Sequence, residues 1–425
     1  MKKIQIKLIM LCYIITFAVS CKKDVIQQAD FTLKENILSL QAATKIAQAY
    51  LQKHSVDSSK PVTIQNNEII ARNGIPYMYA FNAANNAGFI VLSAEKNNTP
   101  ILAHNKIGTF NHGEGSPWGL QSWLTSTENY IDTIRDGTWR NTHTIIAMSA
   151  WKALEKDLKM PEIGNDEYLS KLSSQIIWPT ATERANNLPN YWSTMPVPTP
   201  TITIIGPLIG TIWGQGCGYN DFCPGDGAFC GRPPTGCVPT AIAQVMYYWR
   251  WPQNIDWGAM SPGGPSTETA RLMADIGGAE VPGRFGFPKS FVTYNFGSSS
   301  ANPANNPRVL KNSFNYSTAD YTNSGSYRLY QDIENGWPIM MGGHTRDAIP
   351  GAPFSWATGD GHLWVAEGVF SYYMYWPMIG TIGFTQLYLN WGWDGRSNGW
   401  YSQYAPTGTG FNFQYYNTVT YNIHP

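Results

Sequence analysis

The chain has 425 residues, with 29 Lys+Arg against 29 Asp+Glu, and charged residues make up only 14% of it. A net charge of zero, divided as +3 before residue 200 (19 basic, 16 acidic) and −3 after it (10 basic, 13 acidic), excludes attraction to nucleic acid and names no charged partner. A hydrophobic content of 43% with 17 Trp and 24 Tyr excludes disorder over most of the length and leaves room for two or three folded units.

Residues 1–21 read as a targeting segment: Lys2, Lys3 and Lys7 precede an apolar run from Leu8 to Val19, too short to span a bilayer comfortably. The run ends in Ser20-Cys21, which resembles the lipobox of bacterial lipoproteins and implies a diacylglycerol on the Cys21 thiol. Export to the cell envelope, with anchoring at a membrane and the outer membrane as the expected site, follows from this reading, as does an oxidising setting for the cysteines. Residues 22–31 are polar and aperiodic, as a tether would be. From there Leu38, Leu40, Ala43, Ile46, Ala47, Tyr50 and Leu51 recur at helical spacing behind Ser39, a good N-cap. Ile69–Ala71, Tyr77–Phe81 and Gly88–Ser93 follow as strand-like runs separated by Asn, Gly and Pro, predicting an antiparallel meander in a small α+β unit. Further helical pattern runs from Ile131 to about Leu172. The unit is bounded at 32–180, and the Pro-, Asn- and Thr-rich stretch 181–204 is expected to be a linker.

The remainder, 205–425, has a different texture: 11 of the 17 Trp lie after residue 200, glycines are dense and charges scarce. It contains no Walker loop, HExxH, dinucleotide fingerprint or EF-hand loop, so no cofactor is expected. Within Thr235–Trp249, Gly236-Cys237 opens an apolar stretch of helical period, putting Cys237 in a helix's first turn, where unpaired N–H groups and the helix dipole favour a thiolate. By position alone the stronger reading of Cys237 is a small buried hydrophobe or a disulfide partner. A nucleophilic thiolate needs an imidazole. Of seven histidines only His344 and His362 lie in this half away from the C-terminus, and His362 is favoured because Gly361–Gly368 reads as a strand whereas His344 sits among polar loop residues.

These pieces resemble the streptopain family of papain-like cysteine peptidases. Gly236–Met246 with Trp251-Pro252 is similar to its nucleophile helix. Gly361-His362 followed by Trp364-Val365 and Glu367-Gly368 is similar to its histidine strand, and Leu389–Gly395 followed by Gly399-Trp400-Tyr401 to its Asn-Trp-Gly-Trp hairpin. Trp213–Gly216 with Tyr219-Asn220 resembles the segment carrying the oxyanion glutamine, and Gly88–Ala94 with Thr99–Leu102 the strands of the inhibitory propeptide.

The resemblance implies an α+β fold: a papain-like peptidase domain preceded by a propeptide that inhibits it from within the same chain. It implies Cys237 as nucleophile, held as a thiolate by protonated His362, Gln215 as oxyanion donor, and Asn390 and Trp391 as the wall beside His362. Polypeptides are the implied substrates, with maturation by cutting in the linker and release of the catalytic part from the lipid on Cys21. Pro239 departs from the usual small residue but suits a first helical turn, while Gly218 stands where a proline is common. Cys217, Cys223 and Cys230 allow one disulfide and one spare thiol. Cys223–Cys230 is the expected pair, and a four-cysteine zinc site is the alternative. A thiol acyltransferase and a catalytically silent surface lipoprotein remain the competing classes. The Tyr372–Thr385 stretch is expected to contribute substrate-pocket loops.

Overall fold

The structure, a computed structural model, describes residues 36–113, 116–136, 140–160, 201–283, 288–323, 328–344, 361–376, 380–403 and 418–425. The expected signal segment, Cys21 and tether lie outside these residues, as does most of the expected linker.

Helix α1 (Leu40–Lys53) starts where Ser39 leaves extended backbone and its Oγ accepts from the Ala42 N–H at 3.2 Å. Its apolar stripe, Ala43, Ile46, Ala47, Tyr50 and Leu51, is the buried face. The meander follows as β1 (Ile64–Arg72), β2 (Ile75–Ala83), β3 (Phe89–Ser93) and β4 (Ile101–Asn105), all antiparallel. The β1–β2 turn is Asn73-Gly74, with φ of 52° and 77°, the left-handed pair of residues that a tight hairpin requires. Helix α2 (Trp118–Arg135) begins well before the expected helical pattern at Ile131, and α3 (Arg140–Leu158) follows it. The earlier start is explained by Leu120, Trp123, Leu124, Ile131 and Ile134, which are buried at helical spacing behind Pro117. The intervening Ser, Thr and Asn residues had masked that stripe.

The second half contributes β5 (Thr201–Ile205), α4 (Cys237–Trp249), α5 (Thr267–Gly278), β6 (Thr318–Thr322), α6 (Arg328–Glu334), β7 (Ile339–His344), β8 (Gly361–Trp376), β9 (Gly380–Asn390), β10 (Gly399–Gln403) and β11 (Thr418–His424), besides two short hairpins. Residues 201–204, expected in the linker, are therefore a strand paired with β8. One eleven-stranded sheet results, in the order β1-β2-β3-β4-β10-β9-β8-β7-β11-β6, with β5 beside the outer half of β8. The expected pocket loops of Tyr372–Thr385 are instead mostly strand, a long β8–β9 hairpin in which Tyr372 faces Phe384 and Ser371 faces Thr385.

The two halves of the chain meet inside this sheet. At the seam β4 pairs with β10 through only Trp400 with His104 and Tyr401 with Ala103. Apolar burial holds the joint: Leu102, Leu120, Trp123 and Leu124 share one core with Trp364, Leu387, Leu389, Trp391 and Tyr401. Each large apolar side chain buried there contributes about 1.5–3 kcal/mol, so the cluster as a whole outweighs the two ladder pairs. A second core lies under α1 and α3, and a third packs α4 and α5 on the β7–β8 end of the sheet. Among the described residues no helix is long and apolar enough to cross a membrane.

Candidate active site

Helix α4 begins at Cys237 because Gly236 turns the chain with φ 92° and ψ 154°, a backbone that L side chains rarely adopt. Pro239 sits in the first turn, where no N–H is needed, and Val238–Tyr247 are buried. The partly buried Cys237 thiol receives backbone N–H groups from Leu363, from Cys237 itself and from Val238. These donors favour the thiolate, as expected for a helix N-terminus, but burial outweighs them and pushes the thiol up from its ordinary value.

Because the Leu363 N–H reaches the sulfur, strand β8 brings the peptide beside His362 up to the Cys237 thiol. His362 is 6% exposed, and its Nε2 lies 2.7 Å from the Trp391 carbonyl oxygen. A carbonyl can only accept, so Nε2 carries the proton and Nδ1 is left with a lone pair. Trp364 stacks at 6.1 Å and Trp393 meets the ring edge-on at 5.5 Å. Burial in this apolar surround pulls the imidazole down to about 4, with the Trp391 carbonyl opposing. Among the described residues no hydrogen bond joins the Cys237 sulfur to the His362 ring. In the full-length chain desolvation therefore works against the charged form of each group.

The other candidates converge on the turn after β9. The Trp391 carbonyl holds His362, and the next carbonyl, of Gly392, accepts from Gln215 Nε2 at 3.2 Å. One peptide turn therefore orients both residues. The turn itself is fixed by side chains: Asn398 Oδ1 accepts from Trp391 N at 2.9 Å, Asn390 Oδ1 from Gly392 N at 3.2 Å, and the Trp391 indole donates to the Ser397 carbonyl at 2.9 Å. Among the described residues no hydrogen bond joins Asn390 to the imidazole. Its amide nitrogen donates to the Thr211 carbonyl at 2.8 Å and to Glu367 Oε1 at 3.1 Å.

Glu367 is the residue that sequence reasoning missed. It is 1% exposed, accepts from the Ile209 N–H as well as from Asn390, and burial drives its carboxyl up to about 8 despite those two donors. The signal was present: a lone acid inside the otherwise apolar run Leu363–Val369, which costs too much to bury without fixed partners.

The cysteine pairing differs from expectation. The disulfide is Cys217–Cys230, not Cys223–Cys230, and it also removes two ligands from the four-cysteine zinc alternative. Asn220 is the cause: its side-chain amide donates to the Phe229, Arg232 and Pro233 carbonyls, drawing Cys230 onto the 217–220 turn. Cys223 points inward, fully buried, and its thiol is pushed up by that burial beside Tyr294. His344, read as a loop residue, ends β7 opposite Gly361.

The Peptidase C10 family model matches residues 213–261 and 253–401, and the Spi protease inhibitor model matches residues 35–131. This chain belongs to the streptopain family. It is a cysteine peptidase made as a zymogen with an inhibitory propeptide. Among solved structures it is similar to prointerpain A of Prevotella intermedia, at 18% identity over 85% of this chain and 99% of that one, with a TM-score of 0.49. Active interpain A of the same organism is 21% identical over 52% of this chain and 96% of that one, at a TM-score of 0.35. No curated protein matches.

In this streptopain-family zymogen the propeptide lies against the histidine's indole wall. A Cβ on Gly119 of α2 would come within 2.6 Å of Trp391 and 2.7 Å of Trp364, so only glycine lets the helix approach so closely. Four residues on, Trp123 meets Tyr401 edge-on at 4.9 Å and donates its indole N–H to the Ser402 carbonyl at 3.1 Å.

Proposed function

We propose that the enzyme is exported, lipidated at Cys21, and hydrolyses peptide bonds through Cys237 and His362 once the propeptide has left. The observation that carries this reading is the nucleophile at the head of α4, touched by the peptide of β8 whose histidine keeps Nδ1 as a free base. In the reaction His362 Nδ1 takes the thiol proton and the sulfur attacks the substrate carbonyl carbon. The tetrahedral oxyanion is held by the Cys237 N–H and by the second N–H of Gln215 Nε2. Collapse breaks the C–N bond, the imidazolium gives its proton to the leaving amine, and His362 then activates water against the thioester. Asn390 acts on the Trp391-Gly392 turn, the Trp391 carbonyl orients the imidazole, and Trp364 and Trp393 cover it.

Maturation restores polarity to the pair. Lifting α2 from Trp364 and Trp391 rehydrates the site and lowers the cost of the ion pair that the zymogen disfavours. Because Thr201–Ile205 is paired with β8 and so protected, cutting falls upstream of Thr201, and it separates the catalytic part from the lipid.

The test incubates residues 22–425 with a thiol-reactive epoxide under mild reduction, then maps the labelled cysteine and assays casein cleavage. Label at Cys237 with loss of cleavage is expected, and a Cys237→Ala chain is expected to stay full length where wild type shortens. Label spread over the other cysteines without casein cleavage would overturn the reading in favour of a silent lipoprotein. Amine incorporation exceeding hydrolysis would turn it to acyl transfer.

A further inference from the structure

The disulfide lies two residues beyond Gln215, and it is the covalent link between two segments otherwise joined by hydrogen bonds, chiefly those of the Asn220 amide to the Phe229, Arg232 and Pro233 carbonyls. Gly216 and Gly218 flank Cys217, Gly218 with φ 85°, while Cys230 and Gly231 on the returning segment have φ of 53° and 81°. Gln215 is tied on its other side: its carbonyl accepts from the Thr235 N–H at 2.9 Å, two residues before Cys237, and its side chain reaches Gly392. The clasp thus joins the segment leaving the oxyanion donor to the segment entering the nucleophile helix. Both of its cysteines are exposed, whereas the third cysteine of the loop, Cys223, is fully buried.

We propose that Cys217–Cys230 is a redox-sensitive clasp that positions Gln215, so that reductant lowers activity by opening the clasp. This rests on the peptidase reading above. The opening reaction is thiol–disulfide exchange. An external thiolate attacks one sulfur of the exposed bridge, the S–S bond breaks and a mixed disulfide forms. A second external thiol resolves that intermediate, leaving Cys217 and Cys230 as thiols and the reductant as its own disulfide. Once open, the Gly216–Gly218 segment loses its covalent tie, and the backbone that carries Gln215 is held by hydrogen bonds alone. The thiol–imidazole pair is untouched, since Cys237 and His362 are held by α4, β8 and the Trp391 carbonyl.

The experiment compares wild type with a Cys217→Ser/Cys230→Ser chain, both full length and processed identically, by turnover of a fluorogenic peptide and by the rate of Cys237 alkylation with iodoacetamide, which uses no oxyanion donor. Loss of a whole oxyanion donor costs about 10²–10³ in kcat, and loosening one is expected to cost about tenfold, with KM and alkylation unchanged within about twofold. Activity of wild type against a graded dithiol is expected to fall to the double variant's level, while the variant shows no fall. In a Gln215→Ala background, opening the clasp is expected to change kcat less than about twofold, because positioning and positioned residue lie on one path.

Unchanged kcat in the double variant, alkylation that falls in step with kcat, or losses that multiply in the Gln215→Ala background would each overturn the proposal. If the double variant does not fold, the wild-type dithiol titration decides: a plateau with both thiols shown open by mass overturns it. A wild type with neither turnover nor label at Cys237 removes the peptidase reading and the clasp with it. Wild-type turnover with an indifferent double variant removes the clasp alone.

Discussion

Under α1 and α3 the sheet buries Phe81, Ile90 and Leu92 against Ile46, Leu51 and Trp151, and the Trp151 indole satisfies itself on the Lys96 and Asn98 carbonyls at the rim. At the centre of the same sheet β8 and β9 bury Glu367, Asn390 and His362 among Trp364, Trp391 and Leu389. The first region is what hydrophobic burial alone would build. The second accepts the cost of buried polar groups, and each is held by fixed backbone partners rather than by a charged neighbour. The polar centre orients His362 and Gln215, whereas the apolar end only supports the fold.

That contrast is most sharply tested at Asn390. Asn390→Leu removes one donor from Glu367 and frees the Gly392 N–H, so turnover is expected to fall about 10²-fold, with about 2–4 kcal/mol of stability lost. Activity and thermal unfolding of the processed enzyme, measured together, check it, and a stability loss without an activity loss would erase the distinction between the regions. In the apolar region Ile46→Ala is expected to cost the full-length chain about 2–5 kcal/mol while the processed enzyme keeps wild-type kcat. Denaturant titration of the zymogen beside peptide turnover of the processed form reads both quantities.

The seam between the regions gives smaller effects. Gly119→Leu cannot seat α2 on Trp391 and Trp364, and overpacking of this kind costs about 1–3 kcal/mol, which weakens the propeptide's hold by roughly tenfold or more. The variant is expected to mature faster, followed by gel over time, and a rate equal to wild type would show that α2 does not restrain the site. The smallest effect concerns pH. His104, on β4, is pulled down to about 4 by burial, with Gln386 opposing at 3.3 Å and His54 adding to the depression. A histidine whose folded value lies below its unfolded value of 6.5 costs stability as pH falls from about 6.5 toward 4. His104→Gln is expected to flatten that slope in the zymogen's melting temperature, leaving the part due to His362.

Several features were legible before any coordinates. Ser39 and the stripe behind it defined α1, and the alternating runs defined β2 and β3. Gly236-Cys237 ahead of an apolar stretch placed Cys237 at a helix start, and the order of cysteine, histidine and Asn-Trp identified the family. Each is a local pattern, read from neighbours on one element. The features not legible depend on which distant segments meet. No period announces that Ala103 pairs with Tyr401, that Thr201–Ile205 joins β8 from inside a polar stretch, or that Asn220 steers Cys230 to Cys217 rather than to Cys223.

The sequence by itself therefore determined the chemistry on offer, since residue types and their order limit a site to a thiol, an imidazole and amide donors. Only the tertiary structure decided their state. The cost of charging Cys237, His362 and Glu367 and the partners of Asn390 depend on how much water each group loses and which backbone groups replace it, and both are set by contacts between segments far apart in the chain.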